Sequence, residues 1–227
     1  MKLSNKILIG FFGFIFLYLT AVFAEIRLRG TPNIIDDTNS IAETVDVPSI
    51  AYLVLQDLDR DINVIGSDQP RLEVRTLIGN ALNKLQYSIS GDTLILSDLM
   101  WDHKDAIKIS LFVPKSRLKG VTIDSAGAIV KGLDQHSLRI SQKAGRIRMT
   151  DNKIVSIHVR ALNGSYLDIS STTLDTLSAE IEASHTYVWS SLKRLEGSMT
   201  NNAFLRVQNV DDIQLKKDST STINWYQ

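Results

Sequence analysis

The residues able to do chemistry in this chain are few and scattered. Its imidazoles are His103, His136, His158 and His185, and it has no cysteine. A zinc site would need histidines and carboxylates gathered by the fold. Disulfides, thiolate nucleophiles and Cys-ligated metals are excluded. Cleavage of a glycosidic bond needs at least a pair of placed carboxyl groups. A polysaccharide lyase would need clustered acids for calcium with an Arg or Lys as base. The candidates run Arg148 with Asp168 and Arg160 with Glu180, a base matched to an acid each time. The segment Met100-Trp101-Asp102-His103-Lys104-Asp105 sets an indole among charges. That composition suits a loop contacting sugar or peptide, or a turn folded back over the domain.

The elements that must position these residues are strands. From Ser49 onward apolar residues alternate at period two, as in Leu85-x-Tyr87-x-Ile89 and Ile107-x-Ile109-x-Leu111-x-Val113. Such alternation marks half-buried strands. The second half also repeats. An apolar pattern recurs at Leu118-Val121-Ile123, Ile154-Ile157-Val159, Leu174-Leu177-Ala179, Leu192-Leu195-Gly197 and Val210-Ile213-Leu215, with a partial copy at Leu138-Ile140. The middle positions 121, 138, 157, 177, 195 and 213 are 17, 19, 20, 18 and 18 apart. A second strand follows each copy, eight residues on in the last four (159 to 167, 179 to 187, 197 to 205, 215 to 223). The spacing predicts an all-β fold, a single-stranded parallel β-helix of about 18–20 residues per turn and about eight to ten turns.

Stacking the copies turns the chemistry into columns. His158 falls outward with Thr122, Arg139, Ser178, Glu196 and Gln214, without a second imidazole or an acid on an adjacent turn. Arg148, Asp168, Val188 and Arg206 form a second column, and Ser141, Arg160, Glu180 and Ser198 a third. Arg148–Asp168 and Arg160–Glu180 are then cross-strand ion pairs one turn apart. No carboxylates stack, so no catalytic, cofactor-binding or metal-binding residue is assigned and no cofactor is expected. Gly197 faces inward and Glu196 outward. Tyr187, Trp189 and Trp225 fall in inward slots, where large residues offset the small Ala179 and Gly197 opposite. Tyr166 and Phe204 point outward with Thr186 between them. A glycan-binding platform would need its aromatics on adjacent turns.

The N-terminus is of another kind. Residues 7–24 run without a charge from Ile7 to Ala24, about 27 Å of helix at 1.5 Å per residue. Length and aromatic density (Phe11, Phe12, Phe14, Phe16, Tyr18) favour a retained membrane anchor. Val22 and Ala24 would instead suit cleavage before Glu25, with secretion of the remainder. The expected organisation is 1–24 anchor or signal, 25–47 a polar linker and 48–227 the β-helix. Lys plus Arg and Asp plus Glu both number 25. The two lysines of the first 24 residues leave the rest slightly acidic. Such a domain offers no field for nucleic acid.

The stretches GDTLILS (91–97) and IKISLFVPKSRLKGVTIDSAGAIVKGL (107–133) resemble the bacterial GIN-type head domains, described as auto-transporter adhesin heads. The likeness extends over roughly residues 50–215. A strand ending in Val113-Pro114 leads into corners at Ser125-Ala126-Gly127, Lys143-Ala144-Gly145, Leu162-Asn163-Gly164 and Asn201-Asn202-Ala203. The resemblance implies a right-handed β-helix on the cell envelope and carries no catalytic residues. The expected protein is an exported, membrane-tethered, non-catalytic module for adhesion or envelope scaffolding, held in the bacterial inner membrane with its domain in the periplasm or outside the cell. Its expected partners are the membrane, through residues 7–24, and an envelope protein or glycan. A carbohydrate-active β-helix enzyme and a self-polymerising scaffold are the competing readings.

Overall fold

The computed structural model describes residues 3–29, 35, 38–100 and 106–226. It divides into two compact units, one ending at Ile34 and the other beginning at Ile35. The first contains α1 (Leu3–Arg29), whose stretch Leu8–Glu25 is long and apolar enough to cross a membrane; a signal sequence has the same character.

The second unit is almost entirely β. It opens with β1 (Ile41–Asp46), β2 (Tyr52–Gln56), β3 (Asp61–Gly66) and β4 (Arg71–Thr76). A 3-10 turn at Leu82–Lys84 leads into β5 (Leu85–Ser90), β6 (Thr93–Leu99) and β7 (Ile107–Val113). Pairs follow: β8 (Gly120–Asp124) with β9 (Gly127–Lys131), β10 (Asp134–Lys143) with β11 (Arg146–Thr150), and β12 (Lys153–Leu162) with β13 (Tyr166–Ile169). The last are β14 (Thr176–Glu182) with β15 (His185–Val188), β16 (Leu192–Thr200) with β17 (Phe204–Gln208), and β18 (Val210–Lys217) with β19 (Thr222–Tyr226).

Each later pair is one turn of a parallel β-solenoid, its first strand in a nine-stranded sheet and its second in a ten-stranded sheet. Winding in chain order covers about six turns, from β8/β9 to β18/β19. The expectation of about eight to ten turns is corrected, because the chain before β8 does not wind in order. β2 lies between β6 and β8, and β3 between β7 and β9, so the β6/β7 layer stacks on the far side of β2/β3. β4, β1 and β5 then add to that end antiparallel. The segment expected as a linker, 25–47, contains the end of α1 and all of β1. β1 is tied down by Glu43, whose carboxylate accepts from the N–H groups of Asn80, Ala81 and Leu82 at 2.9, 2.7 and 2.9 Å. The Leu82 hydrogen bond, with those of Ala81 and Asn80, holds the Glu43 carboxyl below its ordinary range.

Strand alternation sends every second side chain inward, and parallel pairing lines these up into columns. One wall carries Leu138, Ile157, Leu177, Leu195 and Ile213, and beside it Ile140, Val159, Ala179, Gly197 and Leu215. Val121 joins Ile140, not Leu138 as the repeat suggested, so Thr122 stacks on Ser141. The facing wall carries Ile147, Leu167, Thr186, Leu205 and Ile223, then Met149, Ile169, Val188, Val207 and Trp225. Gln142 is fully buried beside Ile123 and Ala161, and donates from Nε2 to the Tyr166 carbonyl at 3.2 Å.

The corners use left-handed backbone. Ala144-Gly145, Asn163-Gly164 and Asn201-Asn202 take positive φ in pairs, while Ser125 and Ala183 do so singly. Gly197 is a separate case. It has φ of +131°, and a Cβ there would run into the backbone of Ala179 on the preceding turn. Gly197→Ala is therefore expected to destabilise by about 1–3 kcal/mol. Glu196→Ala, whose side chain faces out beside Arg194, should shift stability by about 0.5 kcal/mol or less. Urea denaturation of both variants measures the ranking, and the reverse order would mean that β16 is one residue out of phase.

Candidate functional site: an aromatic face on the ten-stranded sheet

The outward faces of β13, β15, β17 and β19 carry a run of aromatic side chains. β13 contributes Tyr166, β15 contributes His185, Tyr187 and the adjoining Trp189, β17 contributes Phe204, and β19 contributes Tyr226. Parallel neighbours lie about 4.8 Å apart, so rings on successive turns touch. Tyr166 and Tyr187 have ring centroids 5.2 Å apart, Tyr187 and Phe204 5.6 Å, and His185 and Phe204 5.8 Å. The Trp189 ring lies nearly parallel to that of Tyr187, at 6.3 Å and 19°. Aromatics and β-branched residues favour strands, so the same residues that build the ladder also supply its surface.

Arg206 organises the far side. Its guanidinium lies 5.2 Å from the Trp189 ring centroid and 4.8 Å from that of Tyr226, and Nη2 donates to the Tyr226 hydroxyl at 3.1 Å. These are cation–π distances. Asp168 and Arg206 flank Tyr187 in one column. The buried Asp168 Oδ1 and Arg206 Nε make no hydrogen bond within the protein. An acceptor and a donor thus sit on either side of the central ring. Burial, then the neighbouring Asp168 charge, raises the pKa of the Tyr166 phenol above its ordinary value. Beyond Trp189 the face opens into a groove of about 600 Å³ lined by Thr172, Asp175, Ser190, Lys193, Asn209 and Asp211.

The sequence expectations fare unevenly. Trp189 is 45% exposed and Tyr187 faces outward, which corrects their placement in the core. Thr186 and Val188 are the buried residues, so Thr186 does not separate Tyr166 from Phe204 on the surface; His185 does. The cause is corner length. Two residues, Ala183-Ser184, join β14 to β15, whereas three join β12 to β13 (Asn163-Gly164-Ser165) and β16 to β17 (Asn201-Asn202-Ala203). A signal was present. The small buried residue just before each strand, Ser165, Ser184, Ala203 and Ser221, forms its own column, and the Ser165 hydroxyl donates to Ser184 Oγ at 3.1 Å. Trp225 does occupy an inward position beside Val207, yet it is 48% exposed because β19 is the edge of its sheet.

Of the other candidates, Arg160 and Glu180 pair across turns at 3.8 Å, both largely exposed. Such a pair contributes little to stability. Arg148 and Asp168 are register partners without an ion pair between them. The column Ser141, Arg160, Glu180 and Ser198 is as expected. His158 lies beside Arg139 and Ser178, and His136 is exposed on β10. His103 and the segment 101–105 lie outside the described residues. Among the described residues no three His, Asp or Glu side chains converge as a metal site.

No family model matches the chain, and no curated protein sequence matches it. Solved structures do. A candidate adhesin from Bacteroides fragilis superposes with a TM-score of 0.56 at 12% identity, over 83% of this chain and 98% of its own. A candidate lipid-binding protein from Parabacteroides distasonis gives 0.54 at 13%, over 86% and 99%. A candidate adhesin from the same species gives 0.52 at 11%, over 83% and 93%. The likeness is one of fold. The neighbours share the β-solenoid architecture with this chain, and the GIN family in particular is not established by the likeness.

The phase of β15 is directly testable. Val188→Ala removes two buried methyl groups and should cost about 2 kcal/mol. Trp189→Ala should cost less than about 1 kcal/mol in spite of its larger side chain, since half of it already faces water. Thermal melts of the two variants measure this, and the opposite ranking would return Trp189 to the core.

Proposed function

We propose that this protein is an exported, non-catalytic adhesion module that binds carbohydrate on the aromatic face of its solenoid. The observation that carries the reading is the contiguity of Tyr166, Tyr187, Trp189 and Phe204 across three successive turns. Pyranose rings present flat C–H faces whose slight positive charge packs on the electron-rich face of an aromatic ring. Hydroxyls at the edge of the sugar would meet Asp168, Arg206 and the polar groove past Trp189. The names of the adhesin neighbours support an adhesive role. An extended, open surface of this kind suits a polymer rather than a small molecule, which would be enclosed. The carbohydrate-active enzyme reading finds no support in the columns, where Asp168 is followed by Tyr187 and Arg206, and Glu180 by Ser198.

The full chain in detergent is expected to bind a subset of polysaccharides on a glycan array, with a change in tryptophan fluorescence. Tyr187→Ala and Trp189→Ala should each weaken binding about fivefold to tenfold, equivalent to about 1–1.4 kcal/mol. Arg160→Ala, on the other sheet, should have no effect. Binding that survives loss of both rings, or turnover of the bound glycan, would overturn the reading.

The same proposal takes Leu8–Glu25 as a retained anchor. The chain is expected to stay with membranes through alkaline carbonate extraction. Recovery of a soluble chain beginning near Glu25 would make the segment a cleaved signal, with the adhesive face unaffected.

A further inference from the structure

The two ends of the solenoid are finished differently. At one end, β4, β1 and β5 close over the β6/β7 and β2/β3 layers antiparallel. At the other, β18 and β19 each pair on one side only, among the described residues. The inward columns there lose their burial. Leu195, Leu205 and Val207 are fully buried, but their partners Ile213 and Ile223 are half-buried and Trp225 is 48% exposed. An apolar, unpaired pair of edges is a template for another strand.

We propose that this end is an interface with a second copy of the chain, formed by antiparallel pairing of β18 with its symmetry mate. The charge order of β18 carries the choice of partner. Its sequence is Val210-Asp211-Asp212-Ile213-Gln214-Leu215-Lys216-Lys217, acidic at its start and basic at its end. Antiparallel pairing about Gln214 sets Asp212 against Lys216 of the second copy and Ile213 against its Leu215. Both relations occur twice, because a twofold interface repeats every contact. Asp212, Gln214 and Lys216 are exposed on the outer face, while Ile213 and Leu215 face the core. Cross-strand pairs of opposite charge stabilise, and like charges directly opposite destabilise.

The other edges offer no such match. β5 carries no charged residue, and β1 carries only the acids Glu43, already engaged by Asn80, Ala81 and Leu82, and Asp46, with no base to meet Asp211 or Asp212. Head-to-tail stacking would therefore leave the acids of β18 without counterparts. The twofold axis relating antiparallel strands of one sheet runs perpendicular to that sheet, through the core toward β19. It brings the two β19 strands together as well, and there Ile223 and Trp225 of one copy cover those of the other.

The absence of native cysteine makes the test clean. Directly opposed residues in an antiparallel pair have Cα atoms about 4.5–5.5 Å apart, within disulfide range. In the full chain in detergent, Gln214→Cys should form a covalent dimer under mild oxidation. Glu196→Cys, one turn inward and already covered by Gln214, should not. Light scattering should show a dimer for the unaltered chain. Asp212→Lys and Lys216→Asp should each weaken it at least tenfold, and mixing the two variants should restore it. A monomer at about 100 μM, equal crosslinking at both positions, or no recovery on mixing would overturn the proposal. Open-ended oligomers would do so too, since only head-to-tail stacking propagates.

Discussion

A strand in a parallel sheet points its backbone N–H and C=O groups sideways, along the stack, where a neighbouring strand must receive them. In this protein that demand falls on every turn twice, once in each sheet. It forces successive turns into register, because a slip of one residue would turn an entire strand inside out. The inward columns, the repeated left-handed corners and the glycine at 197 are all consequences. Gly197 is one place where the requirement is tight, since the turn beneath approaches so closely that no side chain fits. Buried polar groups serve the same stacking. Asn152 accepts from the Leu133 N–H at 3.0 Å and donates to the Val130 and Thr150 carbonyls at 3.1 and 3.0 Å, stitching two successive turns at one corner.

The outer faces are under no such demand, and they diverge. Along the later turns of the nine-stranded sheet the outward residues are mostly charged and hydroxylic, with pairs such as Arg160–Glu180 and Arg194–Glu196. On the ten-stranded sheet they become aromatic as the stack proceeds. The change is concentrated in β13, β15, β17 and β19, where rings succeed one another without a break in contact from Tyr166 to Phe204. A core requires large apolar residues, but it does not require them outside. Tyr187 and Trp189 contribute little that the interior needs, since Thr186 and Val188 already fill their turn.

Much of this was legible beforehand. The period of the repeat identified a parallel solenoid, and the columns through Ser141, Arg160, Glu180 and Ser198 were placed residue for residue. Two things escaped for physical reasons. Periodicity constrains strands but not the corners between them, so the shorter corner at Ala183-Ser184 shifted β15 by one position without disturbing the pattern. Both phases of β15 offer plausible core residues, Tyr187 with Trp189 or Thr186 with Val188, and hydrophobicity alone prefers the wrong pair. The aromatic face was hidden by that single slip. The order of layers escaped as well. β6 and β7 read as ordinary alternating strands, and nothing local to them says that they stack on the far side of β2 and β3.

That order governs how the molecule can be made. The β2/β3 layer gains its neighbours from residues some forty to seventy positions further on, β6/β7 on one side and β8/β9 on the other. A chain emerging N-terminus first cannot simply wind up as it appears. Its earliest layer stands with open edges until Val130 has cleared, and the antiparallel strands must be set aside meanwhile. Beyond that point each turn needs only the one before it. Folding is therefore slow and non-local over nearly the first half of the domain and processive over the rest. The delicate interval is early, when β2 and β3 are exposed, and it is there that a holding chaperone would have most to do.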